Sequence, residues 1–193
     1  VKDDILALTP VKKLLVQMVC AALLTFLGGH RLTSLWGMFG INEIHYVTGI
    51  AISFFIIVAL INAYNLIDGV NGLAGTLGVI ASVFFGIWFE ISGFHSHAIL
   101  SFALAGSLVG FLYFNFPPAK IFMGDSGSTV MGFAMVAVSI TGWKQGIYPF
   151  WIPLVIFSPF WVDATSTLLV RLYRREKIWL PHRQHFYQRC VLA

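Results

Sequence analysis

The sequence predicts an all-α fold: a polytopic transmembrane helical bundle with about six membrane helices. Three observations predict it. The 193 residues are 58% hydrophobic and only 10% charged, whereas a soluble domain carries about 25% charged residues. The apolar residues gather into six uncharged stretches, 14–29, 47–66, 72–89, 98–119, 126–143 and 146–162. The basic residues are confined to the gaps between these stretches, as in membrane proteins with short loops. Mean hydropathy is +0.84.

Taken in order, the first stretch is at the short limit for a spanning helix, which needs roughly 17–25 residues. Lys12 or Lys13 can lengthen it by reaching back to the interface along an apolar stem. The second runs from after His45 to Leu66 and leads into a polar segment around Asp68. The third opens at Gly72 and stops before Glu90, and the fourth follows the His95-Ser96-His97 loop. The fifth lies between Asp125 and Lys144, and the sixth ends at Asp163. Backbone groups in lipid must be satisfied internally, so these stretches are helices, and no alternating period supports a β-barrel.

Orientation follows from the basic residues. With the N-terminus cytoplasmic, Lys2, Lys12, Lys13, Lys120, Arg171, Arg174, Arg175, Lys177, Arg183 and Arg189 share one side. Only Arg31 and Lys144 fall on the other, which is a strong positive-inside bias. Nucleic acid is not a partner, because the net charge of +4 comes from loops rather than a basic stripe on a soluble surface. The partners expected from this pattern are membrane lipids. Cys20 and Cys190 have no metal-ligand spacing and no disulfide framework. The first residues do not resemble a signal peptide, and there is no internal repeat.

Four polar clusters fall on the cytoplasmic side. In the first, Asp3-Asp4 alone reads equally as a solvated turn. In the second, Asn62, Asn65 and Asp68 recur every three residues, so a continuing helix is expected to show them on one face. Their oxygens suit a hard cation or a ribose. The plainer reading is a polar helix end capped by Gly69; it explains the glycine and not the three aligned side chains. The third cluster, Phe122-Met-Gly124-Asp125-Ser126-Gly127-Ser128, opens the fifth helix. A helix N-terminus suits phosphate. Asp125 repels phosphate but suits Mg²⁺, which takes one or two carboxylates plus phosphate oxygens. Simple capping by Ser126 or Ser128 is compatible with that role. Gly-Asp-Ser-Gly also matches a serine-protease segment, which a helical membrane bundle excludes.

The fourth cluster holds His182, Arg183, His185 and Arg189, types that suit phosphate oxygens. Lipid headgroups explain the neighbouring Arg174, Arg175 and Lys177 as well. Zinc on His182 and His185 lacks a third ligand nearby. Asp163 lies inside an apolar stretch, where an acid is a functional candidate by default. It is equally well explained by support from Thr167 or Arg171.

Together the clusters resemble the polyprenyl-phosphate N-acetylhexosamine-1-phosphate transferase family, which holds the MraY-like and WecA-like enzymes. The matching residues are Asp3-Asp4 with Lys13 to Gln17, Asn62-x-x-Asn65-x-x-Asp68-Gly69, Asn115, Phe122 with Gly124 to Ser128, and His182-x-x-His185. The resemblance implies an Mg²⁺-dependent transferase (Mn²⁺ being a substitute) at the cytoplasmic face of the plasma membrane. It would move N-acetylhexosamine-1-phosphate from a UDP-sugar to undecaprenyl or another polyprenyl phosphate and release UMP.

The resemblance also implies roles. Asp125, Asp68 and Asn65 would hold the metal, and Asp3 or Asp4 would orient or deprotonate the lipid phosphate. Phe122 would stack on uracil with Asn115 and Asn71 nearby, while Lys13, His182, Arg183 and His185 would contact phosphates. Asn62 is grouped with the substrate-binding residues, and a homodimer is compatible with the family. Two features depart from the common pattern: Asn71 stands where many members carry an acid, and the histidine motif is closer to the O-antigen-initiating branch.

Members carry about ten or eleven membrane helices. Residues 1–193 are therefore expected to be one transmembrane catalytic domain with further helices before Asp3 and after Ala193. The competing expectation is a transporter or flippase for an anionic lipid or metal ion, which would leave the UDP-sugar intact. A non-catalytic membrane scaffold comes third.

Overall fold

A computed structural model describes residues 10–174; residues 1–9 and 175–193, with Asp3, Asp4, His182, Arg183 and His185, lie outside the described residues. The described residues form helices and no strand. They are α1 (Pro10–Ala22), α2 (Tyr46–Ile67), α3 (Leu73–Ile91), α4 (His95–Asn115), α5 (Gly124–Lys144), α6 (Trp151–Ile156) and α7 (Ser158–Tyr173). A π-helical turn, Leu23–Leu27, continues α1.

Among the described residues, α2, α3 and α4 are long and apolar enough to cross a membrane. Of the six expected stretches, the second to fourth are these helices and the fifth is α5, while the first and sixth are each built from two pieces. The first apolar stretch is split between α1 and the π turn. The sixth is not one helix: α6 ends at Ile156 and α7 starts at Ser158, with Pro159 in its first turn. Proline has no N–H to continue the α6 ladder but fits a first turn well. The α7 helix then runs past Asp163 to Tyr173, carrying Asp163, Thr167 and Arg171 at successive four-residue steps.

Central helix α2 packs against α1, α3, α5 and α7, while α4 lies outside against α3. The core is aromatic. The Tyr64 ring stacks on Phe160 at 4.9 Å between centroids, and Tyr148 meets Trp88 edge-on at 5.3 Å. Small residues let the helices approach: Ser53, Ser82 and Ser139 are fully buried and bond within the bundle, as expected where lipid supplies no hydrophobic drive between helices. Large apolar side chains such as Phe55, Ile80 and Ile99 point outward instead, as a lipid-facing surface requires.

Gly142 shows how tight the contact is. A Cβ there would overlap the ring and hydroxyl of Tyr148, whose O–H donates to the Ser139 carbonyl at 2.8 Å. Gly142→Ala is expected to destabilise by about 1–3 kcal/mol through overpacking. Gly106→Ala, where a Cβ meets open space, is expected to leave stability unchanged or slightly raised. Thermal unfolding of both variants in detergent checks the contrast.

Candidate functional site

Five helix ends converge: the N-terminal parts of α1, α3 and α5 and the C-terminal ends of α2 and α4. Side-chain bonds between them define the site. The Lys13 ammonium of α1 donates to Asp125 Oδ2 at the start of α5, forming an ion pair. From α2, Asn65 Nδ2 donates to Ser128 Oγ at 2.5 Å and reaches the Asp125 carbonyl and Oδ1 at 3.4 Å. Fully buried, Ser128 donates back to the Gly124 carbonyl at 2.9 Å. Asp68, the residue that ends α2, is half-buried beside them. Burial first, and the Asp125 charge second, push its carboxyl up to about 6.

The helix end itself is available. The residue before α5, Met123, provides no side-chain cap, and Gly124 enters the helix at φ 67°. Ser128 points back into the helix rather than capping its first turn. Glycine's freedom at positive φ is needed there and again at Gly72, which opens α3 at φ 80°. The plainer reading of a helix end capped by Gly69 does not match the geometry. Helix α2 ends at Ile67, and the left-handed residue of the turn is Gly72.

The neighbouring loop depends on Asn115. It is only 4% exposed, accepts from the Gly72 N–H at 2.7 Å and donates to the Ile121 carbonyl at 2.8 Å. Its amide therefore ties α4 to α3 and to the strand of loop before α5. That loop carries Phe122, whose ring is 74% exposed at the rim. Asn71 is exposed in the α2–α3 turn.

The structure thus brings together Lys13, Asn65, Asp68 and Asp125 from the residues singled out by sequence, with Asn115 and Phe122 on adjoining backbone. It does not add Asn62. A three-residue step on a helix turns about 60° short of a full circle, so two steps separate Asn62 from Asp68 by roughly 120°. Asn62 is accordingly exposed while Asn65 and Asp68 face α5. Lys13, expected to contact phosphate, is paired with Asp125. Sequence offers Ser128 only as a helix cap. Its bridge to Asn65 could not be read there, because it spans α2 and α5.

A divalent cation fits this donor set. The oxygens of Asp68, Asp125 and Asn65 are hard ligands on two helices, and the Asp68 carboxyl is raised by its burial and then by the neighbouring Asp125 charge. Among the described residues no group of three or more His, Cys, Asp or Glu side chains forms a fuller cage. Mg²⁺ usually takes only one or two carboxylates and completes its shell with water and phosphate, so two acids suffice. The Lys13 ammonium already neutralises one of them.

Comparison with known proteins gives a consistent picture. The profile described as Glycosyl transferase family 4 matches residues 1–143. A Bacillus subtilis protein named "Probable undecaprenyl-phosphate N-acetylglucosaminyl 1-phosphate transferase" is 34% identical over 70% of this chain and 38% of its own length. A Clostridioides difficile "Phospho-N-acetylmuramoyl-pentapeptide-transferase" is 38% identical over 73% of this chain and 44% of its own length. A protein of the same name from Listeria welshimeri is 40% identical over 62% and 35% respectively. The chain spans less than half the length of these curated relatives.

Proposed function

The chain belongs to glycosyl transferase family 4, and we propose that it carries the phosphotransfer centre of a polyprenyl-phosphate sugar-1-phosphate transferase. The donor is a UDP-N-acetylhexosamine, and the acceptor is a polyprenyl phosphate such as undecaprenyl phosphate. The reaction is the first membrane step of a cell-surface polysaccharide, on the cytoplasmic face of the plasma membrane. The observation that carries this reading is the meeting of Asp68, Asp125, Asn65 and Lys13 beside the uncapped start of α5.

In this reaction a phosphate oxygen of the lipid attacks the phosphorus that bears the sugar. A new P–O bond forms as the bond to the bridging oxygen breaks, and UMP leaves with that oxygen. Both reactants are anionic, so alignment and charge neutralisation outweigh covalent help. A phosphate monoester has a second pKa of about 6, so the lipid nucleophile is mostly a dianion at neutral pH and needs no strong base. Mg²⁺ bound by Asp125 and Asp68, with Asn65 beside them, would supply the neutralising charge on the phosphates. The α5 N–H groups and Lys13 face the same anions, and the exposed Phe122 ring offers a stacking surface to the base.

Asp3, Asp4, His182, Arg183 and His185 are assigned to the lipid phosphate and the diphosphate by resemblance alone. The names of the relatives divide between an N-acetylglucosaminyl donor and an N-acetylmuramoyl-pentapeptide donor. The His182 motif favours the first, with an O-antigen-type polymer as its product.

Membranes containing the full-length protein test the reading. With undecaprenyl phosphate and Mg²⁺, UDP-N-acetylglucosamine should release UMP, and EDTA or omission of the lipid should stop it. Release from UDP-N-acetylmuramoyl-pentapeptide instead would move the donor assignment. Failure of folded protein to use either, with UDP-sugar recovered intact, would favour a transporter.

A further inference from the structure

The bundle has a second feature, at the end opposite the acids. Only two basic residues, Arg31 and Lys144, fall on that side by the charge distribution, and the fold brings both to one cavity. It has a volume of about 230 Å³ and is lined by Gly29, Arg31, Ser34, Trp36, Trp143 and Lys144 among others. Such a space holds several waters at roughly 30 Å³ each.

Three properties say what the cavity suits. It is positive: neither Arg31 nor Lys144 pairs with a carboxylate among the described residues. Lys144 donates to the Gly28 carbonyl at 2.6 Å, and the Arg31 guanidinium lies 4.6 Å from the centre of the Tyr46 ring. Neutral partners leave both charges available to an anion. Of the acids at this end, Glu43 lines an adjoining cavity that shares Arg31, Thr33 and Ser34 with this one but forms no ion pair with Arg31, and Glu90 accepts from His95 at 3.0 Å. His30, beside Lys144, is held towards its neutral form by burial, against the Leu24 carbonyl and with the Lys144 charge.

One of its wall residues also carries a buried, unpaired donor. Trp143 is 7% exposed, and its indole N–H has no hydrogen-bond partner among the described residues. Finally, the cavity is rimmed by an apolar loop. Trp36, Met38, Phe39 and Ile41 are all exposed, Phe39 at 87%. Aromatic and apolar side chains beside cations are the composition of a bilayer interface.

We propose that this cavity binds the phosphodiester headgroup of an anionic phospholipid in the leaflet opposite the acid cluster, with Arg31 and Lys144 on the phosphate and the loop from Trp36 to Ile41 lying in the interface. The site is separate from the transfer centre and does not depend on that reading.

Two measurements on the full-length protein test it. In nanodiscs of equal lipid fraction, brominated phosphatidylglycerol should quench tryptophan fluorescence more strongly than brominated phosphatidylcholine. Equal quenching would overturn the proposal in wild-type protein, with no variant needed. In detergent, phosphatidylglycerol should raise the unfolding temperature, and Arg31→Gln with Lys144→Gln should remove that rise while the variant keeps its helical circular dichroism. A rise that persists in the folded variant, or one reproduced by phosphatidylcholine, would overturn the assignment of these residues. A rise reproduced by inorganic phosphate at millimolar concentration would overturn the lipid as ligand and leave a site for a soluble anion.

Discussion

Asp125→Asn is expected to lower lipid-dependent UMP release by about 10³-fold or more while leaving the protein folded. The substitution keeps the shape of the side chain and its contact with Asn65. It removes the negative charge that Lys13 now neutralises and that a divalent cation would need. A single electrostatic group at a reacting centre typically accounts for about 10²–10³ in rate, and loss of a metal ligand adds to that. The Asp125–Lys13 pair is partly open to water, so its loss should change stability by no more than about 1 kcal/mol. Activity assayed beside an unfolding curve separates the two effects. Asp3→Asn and Asp4→Asn are expected to cost less, because a dianionic lipid phosphate needs little help from a base. Equal losses at Asp3, Asp4 and Asp125 would contradict that ranking.

Asp68→Asn is expected to act in opposite directions on activity and stability. Its carboxyl is raised from 3.8 to about 6, chiefly by burial and then by Asp125. A group whose folded pKa is raised contributes stability that is full below its unfolded value and lost as pH rises through the folded one. At pH 8 the wild-type protein therefore carries a strained negative charge that asparagine lacks. The displacement corresponds to about 3 kcal/mol at complete burial, and solvent access at Asp68 reduces it to on the order of 1 kcal/mol. In EDTA, Asp68→Asn should unfold at a higher temperature than wild type at pH 8, and the gap should close between pH 6 and pH 4. Mg²⁺ should narrow the gap at pH 8 by stabilising the wild-type protein alone. UMP release should fall by about 10²-fold or more. A variant less stable than wild type at pH 8 would show that Asp68 is a structural ligand of the bundle rather than an uncompensated acid.

Much of this arrangement was legible in the residues. Low charge and long apolar runs give membrane helices, because no alternative satisfies the backbone in lipid. The order of polar clusters along the chain puts Asn65, Asp68 and Asp125 at one end, since successive helices reverse direction. Three things were not legible. Asn62 was grouped with Asp68 because a three-residue spacing looks aligned over one turn, yet it drifts over two. Asn115 could be named, but not its double bond to Gly72 and Ile121, which depends on where two loops meet. The break between α6 and α7 hides in an apolar run, because hydropathy does not register Pro159 as the start of a new helix. The charge pattern sets Arg31 and Lys144 apart on the other side, and only folding shows that they share a cavity.

The most direct test of the central claim follows the phosphorus. UDP-N-acetylglucosamine labelled with ³²P on the sugar-bearing phosphate is incubated with undecaprenyl phosphate and full-length protein, and the label is partitioned between water and organic solvent. Sugar-1-phosphate transfer predicts that this label enters the lipid phase, whereas label on the nucleoside-bearing phosphate stays in water as UMP. Appearance of the sugar in the lipid phase with both phosphates retained in aqueous UDP would contradict it, because the acids would then serve a glycosyl transfer and not a phosphoryl one.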